Sequence, residues 1–268
     1  MRAQLTRLFA FAALAFLAAC ASAPQVITPS TTPPEYQGFQ DGAFFIEPVA
    51  AGFLTETVRR AEVDYAGAER PGTIVVDPYA RRLYYVLEGG RAMRYGIAVG
   101  RAGLSFTGAG IISRKAEWPS WTPTANMIRT QPEAYAKYAG GLPGGMDNPL
   151  GARALYLYRN GRDTYFRIHG TPDQTSVGRA TSAGCIRLFN QDAIDLYNRV
   201  NLGTRVVVRS LQESIALEGP FMDDAYGRAV PETAETIRRR EVETAALERR
   251  KAAEQAAERE ASLTGRRG

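Results

Sequence analysis

The chain has 268 residues, of which 45% are hydrophobic, and it carries a formal net charge of +5. This length predicts one medium-sized domain with appendages, because a single core commonly takes about 100–200 residues. The chain contains one histidine, His169, and two cysteines, Cys20 and Cys185, so a zinc site with several Cys and His ligands is excluded. We expect no metal and no organic cofactor. The mild positive charge suits an anionic envelope surface, and we expect no nucleic-acid partner.

Residues 1–20 predict an export signal. Two arginines precede an apolar run over residues 8–19, which is too short to span a bilayer comfortably. The run ends in Leu-Ala-Ala followed by Cys20, which resembles a bacterial lipobox and predicts a lipid on Cys20 after cleavage. An ordinary signal peptide cut near Ala21 or Ala23 is the alternative. By analogy with lipoprotein sorting, Ala21 favours a periplasmic protein that is lipid-anchored to the outer membrane.

The rest of the chain divides into four segments by composition. Residues 21–40 are rich in Pro, Ser and Thr, which predicts an extended tether. Residues 41–71 contain short apolar pieces, and we expect this N-terminal segment to pack on the main domain. Residues 72–210 are the predicted main domain. Residues 211–268 are rich in Ala, Glu and Arg and predict a charged tail, helical over 229–263 or partly disordered.

The main domain is predicted to be mainly β with one or two helices. Runs rich in β-branched and aromatic residues predict strands at 73–76, 83–87, 93–99, 111–113, 154–158, 164–168 and 205–208. Asn160-Gly161, between two of these runs, is the strongest short hairpin signal. Helical spacing is found in this domain and just before it, over 54–63, 124–138 and 190–200. Pro132 interrupts the second of these helices, and Asn190 is the predicted N-cap of the third.

Two segments carry the candidate chemistry. Residues 165–171 end a predicted strand and contain His169, and residues 182–188 contain Cys185. A cysteine is nucleophilic only as the thiolate, so it needs a base or a positive environment. A histidine titrates near neutral pH and can take the thiol proton. From these residue types alone, a buried cysteine that serves as a small core hydrophobe remains the alternative.

These segments resemble the signature of a known family. The string His169-Gly170-Thr171, followed by Ser182-x-Gly184-Cys185-Ile186-Arg187, resembles that of the YkuD-type L,D-transpeptidase domain. Further stretches look like those of envelope members of this family, at 121–124, 144–151 and 190–197. The resemblance covers residues 72–209. It implies a β-sandwich-like catalytic domain with one or two helices, to which the charged C-terminal helix is added.

The resemblance also implies a reaction on the stem peptide of peptidoglycan. Cys185 is expected to attack the carbonyl of the third residue, the terminal D-alanine leaves, and an amine resolves the thioester. His169 is the expected base, with its ring oriented by the backbone carbonyl of Gly170. Backbone N–H groups of Ala183, Gly184 and Cys185 are the expected oxyanion donors. Many members carry His where Ala183 stands, so His169 is the only imidazole available here.

Other side chains near the motif have two interpretations. Arg187 either holds a substrate carboxylate through a bidentate fork or supports the loop through an ion pair. Ser182 is expected to support the loop or the His/Cys pair. Asn148 and Trp121 are expected to line the substrate site, although Trp118 and Trp121 are expected to serve mainly in packing.

The acceptor is left open by the sequence. An amine of a second stem peptide, an amine of a protein that becomes anchored to peptidoglycan, and water are all compatible with the motif. With water, the protein is an L,D-carboxypeptidase or another amide hydrolase of the same fold. A non-catalytic peptidoglycan-binding lipoprotein is the alternative from another class, and the joint presence of His169, Gly184, Cys185 and Arg187 disfavours it. A papain-like protease is disfavoured because the order of Cys and His is reversed.

Overall fold

The computed structural model describes residues 32–100, 106–181 and 186–264, and the residues from Thr32 on belong to one compact unit. Its strands are β1 Phe39–Asp41, β2 Phe44–Ile46, β3 Ala61–Asp64, β4 Ile74–Asp77, β5 Arg82–Val86, β6 Arg91–Gly96, β7 Ala98–Gly100, β8 Gly108–Glu117, β9 Arg153–Arg159, β10 Arg162–His169, β11 Ala180–Thr181, β12 Ile186–Arg187, β13 Arg205–Val208, β14 Phe221–Asp223 and β15 Ala229–Pro231. Its α-helices are α1 Ala125–Thr130, α2 Pro132–Tyr135, α3 Asn190–Arg199, α4 Leu211–Glu218 and α5 Ala234–Thr264. The predicted mainly β fold is confirmed.

Eleven of the described strands form one mixed sheet, in the order β11-β7-β12-β10-β9-β8-β13-β4-β5-β6-β3. Parallel pairing joins β10 to β12, β7 to β11 and β4 to β13. Strands β6 and β7 are separated only by Ile97, yet each is second from an opposite end of this order. The sheet therefore curls until its ends approach one another, because one residue spans at most about 3.6 Å.

The inner side of the curled sheet holds the main hydrophobic core. Ile74 and Leu83 enter it from one half of the sheet, and Ile168 and Ile186 enter it from the other half. Val75, next to Ile74, belongs to a separate cluster on the opposite face, as the two-residue period of a strand requires. The same alternation points the side chain of His169, the residue after Ile168, away from the core.

The hairpin between β9 and β10 has its turn at Asn160-Gly161, as predicted from the sequence. Arg159 and Arg162 pair directly across a two-residue loop. Asn160 and Gly161 both have positive φ, 51° and 73°, which is the backbone pattern of a type I′ turn. Strand β10 also carries a bulge between Asp163 and Arg167. This hairpin sets the register of the strand that ends at the histidine.

Two of the predicted helices differ from the structure in detail. Helical structure over 124–138 is broken before Pro132, as expected, and α1 begins after Thr124, whose hydroxyl accepts the Met127 N–H. Residues 54–63 do not form the predicted helix. Their last part, with Asp64, is β3, which pairs antiparallel with β6 because a free sheet edge outweighs local helical propensity.

The predicted capping role of Asn190 is wrong. Phe189 occupies the N-cap position of α3 without a side-chain hydrogen bond, and Asn190 is the first helical residue. The side-chain Oδ1 of Asn190 instead accepts the backbone N–H of Ala152 at 2.9 Å. The amide is therefore used to bind a distant loop rather than its own helix.

The segment that precedes the main domain packs on α3. The hydroxyl of Tyr36 donates to Asp192 at 3.1 Å and accepts the backbone N–H of Arg60 at 2.6 Å. Arg60 also donates to Asp192 at 3.2 Å. The side chain of Gln191 donates to the carbonyl of Glu47 at 2.9 Å. These bonds make the N-terminal segment part of the same packed body. Tyr36 lies within the predicted tether over residues 21–40, and that prediction is wrong at this position because the ring is fully buried.

Beyond the main domain, the chain adds a helix, a hairpin and a long helix. Helix α4 begins with a capping box between Ser210 and Glu213. The hairpin β14–β15 follows it. The predicted charged C-terminal helix is confirmed, but it starts at Ala234 rather than at 229, because residues 229–231 pair within the hairpin. Across the described ranges, no helix is both long enough and apolar enough to cross a membrane.

The buried carboxyl of Asp192 gives the fold a testable pH dependence. Burial raises its pKa to about 7, and Arg60 and Tyr36 offset this shift only in part. The native state therefore keeps a proton that the unfolded chain, with a pKa of about 3.9, has lost. We expect the free energy of unfolding to fall as pH rises from about 4 through 7, by up to about 1.4 kcal/mol per pH unit from this group. Asp192→Asn should remove this component in urea titrations from pH 4 to 8.

Asp195→Asn is the matched control on the same helix. Burial raises the pKa of Asp195, but hydrogen bonds from Arg199 and Tyr95 outweigh this effect and hold the pKa below its ordinary value. This substitution should remove stability that is present at neutral pH and lost in acid, which is the opposite sign. Parallel pH profiles for the original protein and Asp192→Asn would contradict the raised pKa.

Candidate active site

His169 is held at the end of β10 by strands on both sides. It lies opposite Ala154 on β9 and opposite Arg187 on β12. Its carbonyl accepts the N–H of Leu188 at 2.9 Å. The residue is 4% exposed. The imidazole is therefore fixed by a buried strand end rather than by a free loop.

One hydrogen bond determines the tautomer of this imidazole. Nδ1 of His169 lies 2.6 Å from the carbonyl oxygen of Gly170. A carbonyl can only accept, so Nδ1 carries the proton in the neutral ring. Nε2 then holds the lone pair, and none of the described residues donates a hydrogen bond to it. The ring is arranged to take a proton through Nε2.

The surroundings keep the ring neutral. Burial lowers the pKa of His169 to about 4, the bond to Gly170 opposes this shift, and the positive charges of Arg187 and Arg167 add to it. A ring with this pKa is almost wholly neutral at pH 7. It is therefore available as a base, and the same charges favour an anion formed beside it.

The carbonyl of Gly170 is itself held in a tight contact. A Cβ added at Gly170 would lie 2.2 Å from Oδ1 of Asn190, and a Cβ at Gly151 would meet the same oxygen at 2.2 Å. Gly151 also has φ of +59°, which disfavours other residues. Two glycines and one amide thus fix the acceptor that orients the histidine. The sequence analysis missed this role of Asn190, because a polar residue at a helix start is usually a cap.

A buried ion pair outside the sequence motif supports the same strand end. The guanidinium of Arg153 binds both carboxylate oxygens of Asp41, at 2.7 and 3.0 Å, and the indole of Trp118 donates to Asp41 at 2.8 Å. The carbonyl of Arg153 accepts the N–H of Gly170 at 3.0 Å. Hydrogen bonds from Arg153 lower the pKa of Asp41. The N-terminal hairpin is therefore connected to the histidine through one arginine.

The loop over residues 141–151 is organised by Asn148, which was predicted to contact substrate. Its side chain is 1% exposed. Its amide donates to the carbonyls of Pro119 and Pro143, at 3.0 and 2.9 Å, and accepts the N–H of Leu150 at 2.9 Å. Two of these partners belong to the loop and Pro119 lies outside it, so the amide supports the loop, and the predicted substrate contact stays a prediction.

The two tryptophans pack, as expected. The ring of Trp118 lies against Phe44, with centroids 4.4 Å apart. Trp121 contacts the rings of Tyr135 and Tyr138, at 6.2 and 6.1 Å. Both indoles therefore join the loop region to neighbouring elements by ring contacts.

The structure brings together some of the predicted site residues. His169, Gly170 and Arg187 lie side by side at the ends of β10 and β12. Ser182, Ala183, Gly184 and Cys185 lie outside the described residues, as does Cys20. Their predicted roles as support, oxyanion donors, nucleophile and lipid attachment point stay predictions. Among the described residues, no group of three or more His, Cys, Asp or Glu side chains is arranged to hold a metal ion.

The fold and this histidine site agree with a known family. Residues 71–208, just over half of the chain, match the model of the YkuD family, described as an L,D-transpeptidase catalytic domain. The chain therefore belongs to the YkuD family, as the resemblance predicted. His169 and Arg187 both fall inside the matched region, whereas Asp41 lies before it.

Relatives match over the same part of the chain. The probable L,D-transpeptidase ErfK/SrfK of Escherichia coli K12 is 36% identical over 138 residues, which are 50% of this chain and 43% of that protein. The probable L,D-transpeptidase YcfS of the same organism is 33% identical over 155 residues, 56% of this chain and 48% of that protein. The chain thus spans less than half the length of these curated relatives.

One solved structure shares more sequence identity. A protein from Brucella melitensis, described as a probable carnitine operon oxidoreductase, is 49% identical and covers 58% of this chain and 96% of its own, with a TM-score of 0.41. That description concerns the Brucella protein, and a TM-score this low supports no conclusion about the fold.

The contact between Gly170 and Asn190 can be tested by adding one methyl group. Gly170→Ala would force its Cβ against Oδ1 of Asn190, and we expect the free energy of unfolding to fall by about 1–3 kcal/mol. The bond from His169 Nδ1 should weaken as the carbonyl moves. Because His169 is the only histidine, nitrogen NMR reports its tautomer and its pKa without assignment ambiguity.

Gly140→Ala is the matched control, since a Cβ at that position meets nothing within 4 Å. This variant should keep both the stability and the Nδ1–H signal of the original protein. If Gly170→Ala leaves the tautomer and the stability unchanged, the carbonyl is not positioned by this contact.

Proposed function

We propose that the protein is a cysteine-dependent L,D-transpeptidase that acts on peptidoglycan stem peptides through a thioester on Cys185. The observation that carries the proposal is the neutral, buried imidazole of His169, whose Nδ1 is tied to Gly170 and whose Nε2 can accept a proton. Membership of the YkuD family supports the reaction class.

The strand register supports Cys185 as the partner of this imidazole. Ile186 pairs with Ile168, and Arg187 pairs with His169. Cys185 directly precedes Ile186 in the chain, and consecutive Cα atoms are about 3.8 Å apart. The nucleophile is therefore expected within a short distance of the strand that carries the base.

In the proposed first step, Nε2 of His169 takes the thiol proton and the Cys185 sulfur attacks the carbonyl of the third stem-peptide residue. Backbone N–H groups of Ala183, Gly184 and Cys185 are the proposed donors to the oxyanion, and one such donor typically contributes about 2.7–4 kcal/mol to the barrier. The C–N bond then breaks, and the imidazolium returns its proton to the amine of the leaving D-alanine. A thioester remains on the enzyme.

In the second step, an amine attacks the thioester carbonyl, the C–S bond breaks and the Cys185 thiolate leaves. The imidazole takes a proton from the attacking amine and passes it to the sulfur, so the enzyme is regenerated. The acceptor amine is that of a second stem peptide or of a protein to be anchored to the wall. Water as acceptor gives the alternative activity, an L,D-carboxypeptidase.

The nucleophile assignment predicts a mass shift on one residue. The full chain, incubated with purified tetrapeptide muropeptides, should gain an acyl adduct on Cys185 and release D-alanine, with products linked between third residues. Cys185→Ala should lose the adduct and lower turnover by about 10³-fold or more, because no other nucleophile stands at this position. Mass spectrometry of the intact protein and of the products measures both quantities.

Cys20→Ser is the matched control, because these two residues are the only cysteines of the chain. This variant should keep the adduct and the products. Turnover that survives in Cys185→Ala would refute the thioester. Release of tripeptide and D-alanine without linked products would assign the protein to the hydrolases, and absence of both would favour a wall-binding protein.

We also propose that Cys20 carries a lipid and that the protein is anchored to the outer membrane on its periplasmic side. The support is the sequence pattern of residues 1–20 and the Pro-rich segment that follows it. A lipid anchor with a tether would hold the catalytic domain near peptidoglycan.

Radiolabelled palmitate tests the anchor. Label is expected on the full chain and on Cys185→Ala when they are produced in a bacterial host that processes lipoproteins, and it should be absent from Cys20→Ser. Label that persists in Cys20→Ser would overturn the assignment. Cleavage after residue 20 without any label would leave an unanchored periplasmic protein.

A further inference from the structure

A polar cavity of about 230 Å³ lies on the outer face of the sheet, where β5 and β6 are covered by other segments. Its walls come from the segment that follows β3, from β5 and β6, from the residue after β13, and from the end of α4. They are lined by Val63, Asp64, Tyr65, Ala66, Gly67, Arg82, Tyr84, Arg94, Arg209, Leu217 and Glu218. None of these lining residues belongs to the histidine site, so the cavity is a separate site.

Three arginines and one buried carboxylate dominate this cavity. Arg82 donates to Glu218 at 2.6 Å, and Arg209 donates to the same carboxylate at 2.8 Å. Tyr84 also donates to Glu218, at 2.6 Å. One carboxylate is therefore shared by two guanidinium groups and a phenol, and its oxygens are already engaged.

The third arginine, Arg94, is paired with no carboxylate among the described residues. Arg94 donates a hydrogen bond to the backbone carbonyl of Glu56, at 2.7 Å. Tyr84 lies directly opposite Arg94 in the strand register, so both side chains share the outer face. Burial and the charge of Arg82 lower the pKa of Arg94. The guanidinium is thus held in an environment that destabilises its positive charge.

The cavity has more hydrogen-bond donors than hydrogen-bond acceptors. The Nε–H groups of Arg82, Arg94 and Arg209 are buried and have no hydrogen-bond partner among the described residues. The side chain of Arg209 is only 3% exposed. A buried donor without a partner is unfavourable, so these N–H groups favour a ligand that supplies acceptor oxygens.

The other acidic side chain of the cavity does not compensate this charge. Asp64 is 94% exposed and pairs with Arg91, which is not part of the cavity wall. Asp77 lies behind the cavity and accepts from Arg209, from Ser214 and from two backbone N–H groups. Positive charge with unpaired N–H donors therefore remains in a polar, partly open cavity.

From this arrangement, we infer that the cavity is a binding site for a small oxyanion, a carboxylate or a phosphate group, recognised by Arg94 together with Arg82 and Arg209. Guanidinium groups present forked N–H donors that match the oxygens of either anion. A bound oxyanion would offset the charge of Arg94 and satisfy the unpaired Nε–H groups. The rings of Tyr65 and Tyr84 lie against the guanidinium of Arg209, with centroids 5.8 and 5.1 Å from its central carbon.

Titration of the full chain with inorganic phosphate, and separately with acetate, followed by calorimetry, tests this site. Saturable binding to one site is expected with at least one of the two anions. The ratio of their dissociation constants identifies which anion the site prefers. Arg94→Gln should weaken binding about tenfold, the value expected for loss of one charge-assisted contact. Arg91→Gln, on the same strand but exposed and already paired, is the matched control and should leave the affinity unchanged.

A second variant changes the affinity in the opposite direction. Glu218→Gln removes the competing negative charge and keeps an oxygen acceptor, so anion binding should tighten by about threefold or more. Should Arg94→Gln fail to fold, Arg94→Lys keeps the charge without the fork and should weaken binding to a smaller degree. Binding should persist in Cys185→Ala, which separates this site from the acyl-transfer reaction.

Two results would overturn the inference. One is the absence of saturable binding by the folded protein with either anion. The other is an equal loss of affinity in Arg94→Gln and Arg91→Gln, which would show that binding reflects surface charge.

Discussion

The hydrogen bond from Nδ1 of His169 to the carbonyl of Gly170 is the interaction on which the proposed chemistry of this protein depends. The chain has no second histidine that could act as a base. A base must present an unprotonated nitrogen, and only the bond at Nδ1 fixes which nitrogen that is. Burial keeps the ring neutral, and the carbonyl keeps it in one tautomer. Burial alone would not fix which nitrogen carries the proton. The hydrogen bond alone would not keep the ring neutral.

The acceptor carbonyl needs its own support, and this support reaches beyond the family domain. Asn190 fills the space that a side chain at Gly170 would occupy, and Arg153 binds the N–H of Gly170 through its carbonyl. Arg153 is in turn paired with Asp41, which precedes the matched residues 71–208. The packed unit around His169 therefore extends beyond the residues that match the family model, because a buried guanidinium requires a carboxylate, which the N-terminal hairpin provides.

Much of the fold could be predicted from the sequence, and the failures share one cause. Runs rich in β-branched and aromatic residues predicted the strands, and Asn160-Gly161 predicted the hairpin, because these signals are local. The helix expected over 54–63 is partly a strand, since its partner β6 is distant in sequence. Asn190 was read as a cap for the same reason, because its true partner, Ala152, lies on another element. Contacts between distant segments leave no periodic signal.

The same distinction applies to the site. His169 and Gly170 were predicted because they form a contiguous string that resembles a family signature. Asn148 was predicted to contact substrate, and its amide binds backbone groups of its own loop and of Pro119. A sequence motif marks a residue as constrained, but it does not separate a side chain that binds substrate from one that shapes the loop. The hydrogen bonds that the side chain makes in the folded protein are needed to distinguish these two cases.

The arginine-rich cavity follows from how the outer face of the sheet is covered. Val75 and Tyr84 are apolar or aromatic residues on that face, so they need a cover to leave water. Part of this cover is α4, which follows the matched residues and contributes Glu218. The covered strands also carry Arg82 and Arg94. The cover therefore removes charged side chains from water together with the apolar ones. Glu218 and Asp77 provide two carboxylates for three guanidinium groups, and the remaining positive charge gives this cavity a capacity to bind an anion.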